Sequence, residues 1–424
     1  FKSVPRNQLM NFENNFKITE TLDFLYLIIL AIFPLSLIFG NLLINFFIFL
    51  FSINFFINFK ENKVFFKDKV FYLLVFFFTS LLINLIFSLN PESSFPRVIK
   101  IFFIIIFIFE IKRLIQKYEI NYMKYIYTSW FIIFLALSID VLFEFTFGYN
   151  IIGNKSYMPG RIASFFGDEL VIGAFYHGFV LFFLSYLIFK RSKIYILTIS
   201  IIFVLLVSFL IGERSNFIKL FLAVIFFTTF ALQINYKIKI ITFLITIMTL
   251  FAFLNLNESY KTRYFDQIKT LFSTNGYSEY IKNSQYGAHR DAAMKIFKEN
   301  LFFGVGIKNY RYESSKKKYE NKEYARTNER QATHPHQIHH EFLSETGIFG
   351  YSAFLIFILS SIYLGLKSYI KSKNLYQLSA IIFIITNLLP LLPSGSFLST
   401  YTSGIFWINF AIMNSYIKEL NFKI

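Results

Sequence analysis

The chain has 424 residues, 55% of them hydrophobic and 16% charged, with no cysteine and a formal charge of +17. Soluble domains carry about 25% charged residues, so an ordinary soluble enzyme and a disordered chain are both excluded. The absence of cysteine excludes a disulfide scaffold and a thiolate-held zinc or iron–sulfur site.

Most apolar residues fall in runs of about 18–22, the length that crosses a hydrocarbon core of about 30 Å. The prediction is an all-α integral membrane protein with about twelve transmembrane helices. In chain order they cover residues 22–40, 42–59, 70–89, 98–111, 125–145, 169–189, 194–211, 216–234, 238–255, 347–366, 378–394 and 399–417. Gly40-Asn41 splits a continuous apolar run, and a tight hairpin is expected there. The first run is too long for a signal-peptide core and has no small-residue cleavage site. The chain opens on Phe1, as expected of a fragment or a trimmed product.

Basic residues follow alternate helices: Lys60 to Lys69, Lys112 to Lys124, Lys190 to Lys193, Lys237 and Lys239, Lys367 to Lys373, and Lys418 with Lys423. This one-sided bias makes that side cytoplasmic, with both termini inside. The positive charge is therefore read as topology, and no nucleic-acid partner is expected. Residues 1–255 then carry nine helices, 256–346 form a large periplasmic loop, and 347–424 carry three more. Loops this long escape the positive-inside rule. This one holds His289, His334, His336, His339 and His340, five of the six histidines.

The densest signal is 333-THPHQIHHEFLSETGIFGY-351. Pro335 suits the first position of a helix, with His334 as its cap. His336 would lie in the first turn, where the positive end of the helix dipole keeps imidazole neutral and able to accept a proton. His340 would follow one turn later on the same face, and the helix would run through Gly347 and Gly350 into the tenth span. Three readings compete: a solvated interfacial cluster, a zinc site of His336, His340 and His334, and a general base. No HExxH or cysteine supports the zinc reading.

Arg214 stands in a very short outer turn, where an arginine is costly unless partnered. It either pairs with Glu213 or reaches lipid headgroups, or it is held for an anion. Arg290 is followed at i+3, i+4 and i+7 by Ala293, Met294 and Phe297, which puts it at the border of an apolar face, able to turn inward. Arg161 is a further candidate, with pairing to Asp168-Glu169 as its alternative. Asp140 and Glu144, one turn apart near the end of a span, are functional candidates as intramembrane carboxylates, with pairing to Arg161 as the alternative. Gly304-x-Gly306 reads as a turn.

His336-Gln337, nine residues, then Gly347-x-x-Gly350 resembles the H-[NSQ]-x9-G-x-x-G signature of bacterial O-antigen ligases, which share a superfamily with the O-antigen polymerases. Tyr351 replaces the usual Ser/Thr, and Gln337 the commoner Asn. The segments 160-GRIASFFGDELVIGAF-175, 211-IGERSNF-217 and 302-FFGVGIKNYR-311 are similar in the same order. The resemblance implies a glycosyltransferase C-type enzyme of the bacterial inner membrane. Such an enzyme moves a glycan from undecaprenyl diphosphate to lipid A–core, or to a second lipid-linked glycan in the polymerases. It uses neither metal nor nucleotide, and no cofactor is expected. The resemblance gives His336 as general base and Arg214 and Arg290 as phosphate ligands. Arg161 joins them, with Asp140, Glu144 and His340 in acceptor or supporting roles. A solute transporter is the rival from another class, though its ionisable groups would sit near the bilayer midplane. A non-catalytic assembly subunit would have no need of His and Arg on one face.

Overall fold

The computed structural model describes residues 20–417, apart from 120–121, 168, 232–235, 257, 267–268 and 270–275. The chain ends, and with them the expected placement of the termini, lie outside the described residues, as does Asp168. Among the described residues the structure is helical, without a strand.

The longer helices are α1 (Glu20–Ala31), α2 (Phe33–Phe39), α3 (Asn41–Ile57), α4 (Lys69–Ile86), α5 (Pro91–Tyr118) and α6 (Met123–Phe147). They continue as α7 (Ile172–Phe189), α8 (Ile194–Leu210), α9 (Arg214–Ala231), α10 (Tyr236–Leu256), α11 (Gly276–Asn283) and α12 (Gln285–Glu299). The last three are α13 (Ile338–Ser372), α14 (Leu375–Asn387) and α15 (Thr400–Ser415). Among the described residues five helices, α4, α6, α7, α9 and α13, are long and apolar enough to cross a membrane. The number rises to seven if each of two bent pairs, at 52° and 85°, is one span. The remaining predicted segments hold helices that are shorter or more charged.

Helix ends follow local chemistry. Asn90 accepts the Ser93 N–H ahead of Pro91, which begins α5 where its missing N–H costs nothing. α14 stops at Asn387, short of the predicted 394. Pro390 and Pro393 cannot continue a helical ladder, and residues 388–399 form an irregular loop.

α7 lies inside the bundle, with 78% of its apolar window buried. Phe342 stacks on Phe354 at 4.1 Å across the Gly347 break of α13, and Phe77 on Phe357 at 5.2 Å joins α4 to α13. Phe46, Phe49, Ile53 and Phe56 of α3 are exposed. That much uncovered apolar surface is costly in water and is satisfied in a hydrocarbon solvent.

α13 is not the continuous helix expected from the sequence. It breaks at Gly347, whose φ of 63° and ψ of −169° leave the helical region. The backbone groups freed by the break are taken by residues 301–306. Ile348 N–H donates to Leu301 O at 2.9 Å and Phe349 N–H to Phe302 O at 3.1 Å. In return Val305 N–H donates to Ser344 O at 3.0 Å and Gly306 N–H to Glu345 O at 2.8 Å. Buried backbone groups need such partners. A Cβ at Gly347 would overlap the Phe302 backbone, so only glycine admits this approach. The turn at Gly304-x-Gly306 thus fills a helix break.

Candidate active site

His336 does not sit in a helical turn. α13 begins at Ile338, and its cap is Gln337, whose Oε1 accepts the His340 N–H at 2.9 Å. The amide side chain outcompetes His334 for the capping role. His336 lies one residue earlier with φ 53°, uncommon for a non-glycine residue. It is therefore not stacked one turn below His340 on a shared face. Loop 388–399 holds the segment in place. Ser394 N–H donates to His336 O at 2.8 Å, Gln337 Nε2 to Pro390 O at 2.8 Å, and Ile338 N–H to Ser394 Oγ at 3.1 Å.

The His336 ring meets two other imidazoles. Its centroid is 4.1 Å from that of His334 and 4.8 Å from that of His289. Tyr286, one turn before His289 on α12, stands edge-on at 6.2 Å. Burial pulls His336 below the usual imidazole range. Burial and the neighbouring His336 bring His289 down to about 4 and hold His334 well below its ordinary value. A neutral His336 was expected from a helix dipole; the cause is desolvation. Among the described residues no three His, Asp or Glu side chains are arranged to hold a metal ion.

Tyr286 also lines a cavity of about 430 Å³ whose walls carry Arg161, Arg214, Arg263 and Arg326. Two loops meet to make it. Gly212, at φ 78°, lets the α8–α9 turn lie against the Gly160 backbone, and Ile162 N–H donates to Ile211 O at 3.2 Å. This brings Arg161 beside Glu213 at 3.2 Å. Arg161 pairs with Glu213, not with Glu169 or the acids of α6. Burial raises the Glu213 carboxyl, with Arg161 opposing it. Glu213 also accepts from Gly173 N–H at 3.0 Å and Asn216 Nδ2 at 2.6 Å.

Arg214 and Arg263 are fixed by backbone rather than by carboxylates. Arg214 Nη1 donates to Arg263 O at 3.1 Å and Arg263 Nε to Gly212 O at 2.8 Å. Burial, Arg161 and Arg214 together lower Arg263 from its ordinary value. Guanidinium groups held this way keep donors free for a ligand with several oxygens.

Asp140 and Glu144 are buried, and they organise the loop that carries Arg161. Asp140 accepts from Ile151 N–H at 2.8 Å and from the Ser164 hydroxyl. Glu144 accepts from Ala163 N–H at 3.2 Å and Ser164 N–H at 2.5 Å. Neither pairs with Arg161.

Arg290 is exposed and outside the cavity lining. The buried face of α12 is His289, Ala292, Ala293 and Ile296, one residue out of phase with the face assigned from Arg290. His289 is 3% exposed and occupies the inward position. Arg290 instead acts on His340 through its charge. His339 bridges the Tyr351 hydroxyl at 3.0 Å and Leu388 O at 2.8 Å, which gives the unusual Tyr351 a partner. The sixth histidine, His177, is buried in α7 and paired with Thr386 at 2.8 Å.

Sequence reasoning missed His289, Arg263 and Arg326. The i, i+3, i+4, i+7 pattern starting at residue 289 was available for the first. For the two arginines the sequence carries no local signal.

Residues 171–355 match the family model described as O-antigen ligase. The matched stretch includes Arg214, Arg263, His289, Arg290, Arg326 and His336. No curated protein matches the chain. Together with the apolar helices, this match supports a multi-pass membrane protein and a relationship to the O-antigen ligase/polymerase superfamily.

Proposed function

We propose that the chain transfers a glycan from undecaprenyl diphosphate to a sugar hydroxyl of an acceptor at the outer face of the bacterial inner membrane. The observation that carries this reading is the arginine cavity bordering His336 through Tyr286. In the proposed step the His336 ring nitrogen takes the proton of the acceptor hydroxyl. The oxygen attacks the anomeric carbon, and the bond to the diphosphate breaks with inversion. The electron pair leaves on the diphosphate, where Arg161, Arg214 and Arg263 meet the developing charge. Arg290 serves at the rim beside His340, while Asp140 and Glu144 support the loop of Arg161. No metal or nucleotide is required, because the diphosphate leaving group carries the driving force. The acceptor is lipid A–core in a ligase or a second lipid-linked glycan in a polymerase.

The test is an assay of the purified chain in lipid nanodiscs, with lipid-linked glycan and acceptor supplied, with and without EDTA. Transfer that persists in EDTA and disappears in Arg214→Ala and Arg263→Ala supports the proposal. Transfer stopped by the chelator, with stoichiometric bound zinc, would replace the base with a metal mechanism.

A further inference from the structure

A second set of cations lies outside the lining of the arginine cavity. Arg97 and Lys100 are three residues apart on one face of α5. The segment 305–309 is docked against the start of that helix. Leu89 N–H donates to Val305 O at 3.0 Å, Ser94 Oγ to Ile307 O at 2.7 Å, and Asn309 Nδ2 to Ser88 Oγ at 2.7 Å. Between these anchors Lys308 is held at φ 64°. A non-glycine residue stays in that region only when its surroundings fix it there. Lys308 is 5% exposed. Its amine donates to Ser396 and lies 3.7 Å from Glu341. Its charge acts on Lys100 in one direction and on His334 in the other.

Lys100 is the anomaly. Its amine is shielded from solvent and has no hydrogen-bond partner. The charged groups acting on it, Arg97 and Lys308, are both cations. Arg311 adds a further positive charge beside Arg97. Glu341 is already occupied, accepting from the Ser396 hydroxyl and from Phe397 N–H at 2.8 Å. A shielded ammonium among like charges is costly without an anion. These cations also stand at the end of α5 opposite its Lys112, Arg113 and Lys117, against the general bias of the chain.

We propose that Arg97, Lys100 and Lys308 form a second phosphate site that takes a lipid-borne phosphate, with His334 and His336 between it and the arginine cavity. The inference rests on the glycosyl-transfer reading and adds that the acceptor is itself held by a phosphate. Lys308 gives the link: one side chain ties the phosphate position to loop 388–399 and so to the backbone that fixes His336.

The experiment is native mass spectrometry of the purified full chain with undecaprenyl diphosphate as probe. Wild type binds two equivalents. Arg97→Ala combined with Lys100→Met loses one, and Arg214→Ala loses the other. Lys100→Met exchanges a buried amine for an apolar group of similar length, so an unchanged melting temperature certifies the fold. In the transfer assay the double variant raises the acceptor KM at least about tenfold, the weight of one charge-assisted hydrogen bond, and leaves the donor KM alone. Parallel titrations with phosphatidylglycerol and phosphatidylcholine name the source. Displacement by phosphatidylglycerol alone assigns the site to any anionic lipid phosphate, and resistance to both assigns it to the polyprenyl acceptor. Two equivalents still bound by the double variant overturn the second site. If Arg214→Ala loses its equivalent in the same series, the donor reading stands while the second site falls.

Discussion

The two ends of α5 bury cations under opposite conditions. Near its last turns Arg113 bonds Asp23, Glu110 at 2.6 Å and Glu61 at 2.9 Å. Lys112 pairs with Asp68, and Lys117 reaches Asp23 at 3.1 Å. Glu110 takes further donors from Asn54 at 2.6 Å and Asn62 at 2.8 Å. Each cation there meets a carboxylate, and the groups tie α1, α3 and α5 together. Near the first turns Lys100 meets none, and in the arginine cavity Arg214 and Arg263 are aimed by carbonyl oxygens. A closed network holds helices. Cations held in place by backbone, with donors to spare, leave room for an anion from outside, as proposed above.

The contrast is broken most directly at His336. His336→Ala lowers transfer about 10²–10⁴-fold, the usual weight of a general base, and leaves the melting temperature unchanged. Arg113→Leu does the reverse. It strands Asp23 and Glu110 in the interior, at a cost of about 3–5 kcal/mol, and activity falls only with the folded fraction measured by thermal unfolding. A large loss of melting temperature in His336→Ala would merge the two classes.

Intermediate effects sharpen the difference. Arg214→Lys and Arg263→Lys retain more transfer than the alanine variants but stay below wild type, since a point charge cannot reproduce the bidentate fork. Full activity in the lysine forms would remove the need for planar phosphate contacts. His339→Ala deletes two hydrogen bonds, to Tyr351 and Leu388, for about 1–3 kcal/mol of stability. Its kcat per folded molecule is unaltered, which separates it from its neighbour three residues earlier.

The smallest expected effect is the pH response. A base works in its deprotonated form, and burial sets His336 below the usual value near 6.5. Activity therefore changes less than about twofold between pH 8 and pH 6.5 and falls only on further acidification. An acid limb centred above pH 7 in kcat/KM would mean that the ring is exposed or paired with a carboxylate.

The apolar runs were legible because helices in a hydrocarbon solvent need little beyond length and hydrophobicity. The density of histidines in residues 333–351 was legible as a candidate, though its geometry was not. Pro335 pointed to a helix start, but Gln337 caps the helix two residues later and leaves His336 in a left-handed turn. Gly347 and Gly350 looked compatible with a helix entering the membrane. The carbonyls of Leu301 and Phe302 that make a break tolerable come from a distant part of the chain, and no local pattern announces them. Arg290 was assigned inward because one residue of phase, about 100° around a helix, separates it from His289. Arg263 became a candidate only when two loops closed on each other at Gly212 and brought it into the cavity lining.

In the proposed reaction the arginine cavity holds the donor diphosphate next to His336. The most direct measurement is a structure of the full chain in nanodiscs with an undecaprenyl diphosphate-linked sugar bound. Both phosphates are expected among Arg161, Arg214 and Arg263, with the anomeric carbon facing the His336 ring. Phosphates bound elsewhere, with the arginine cavity empty and His336 out of reach of the sugar, would contradict it.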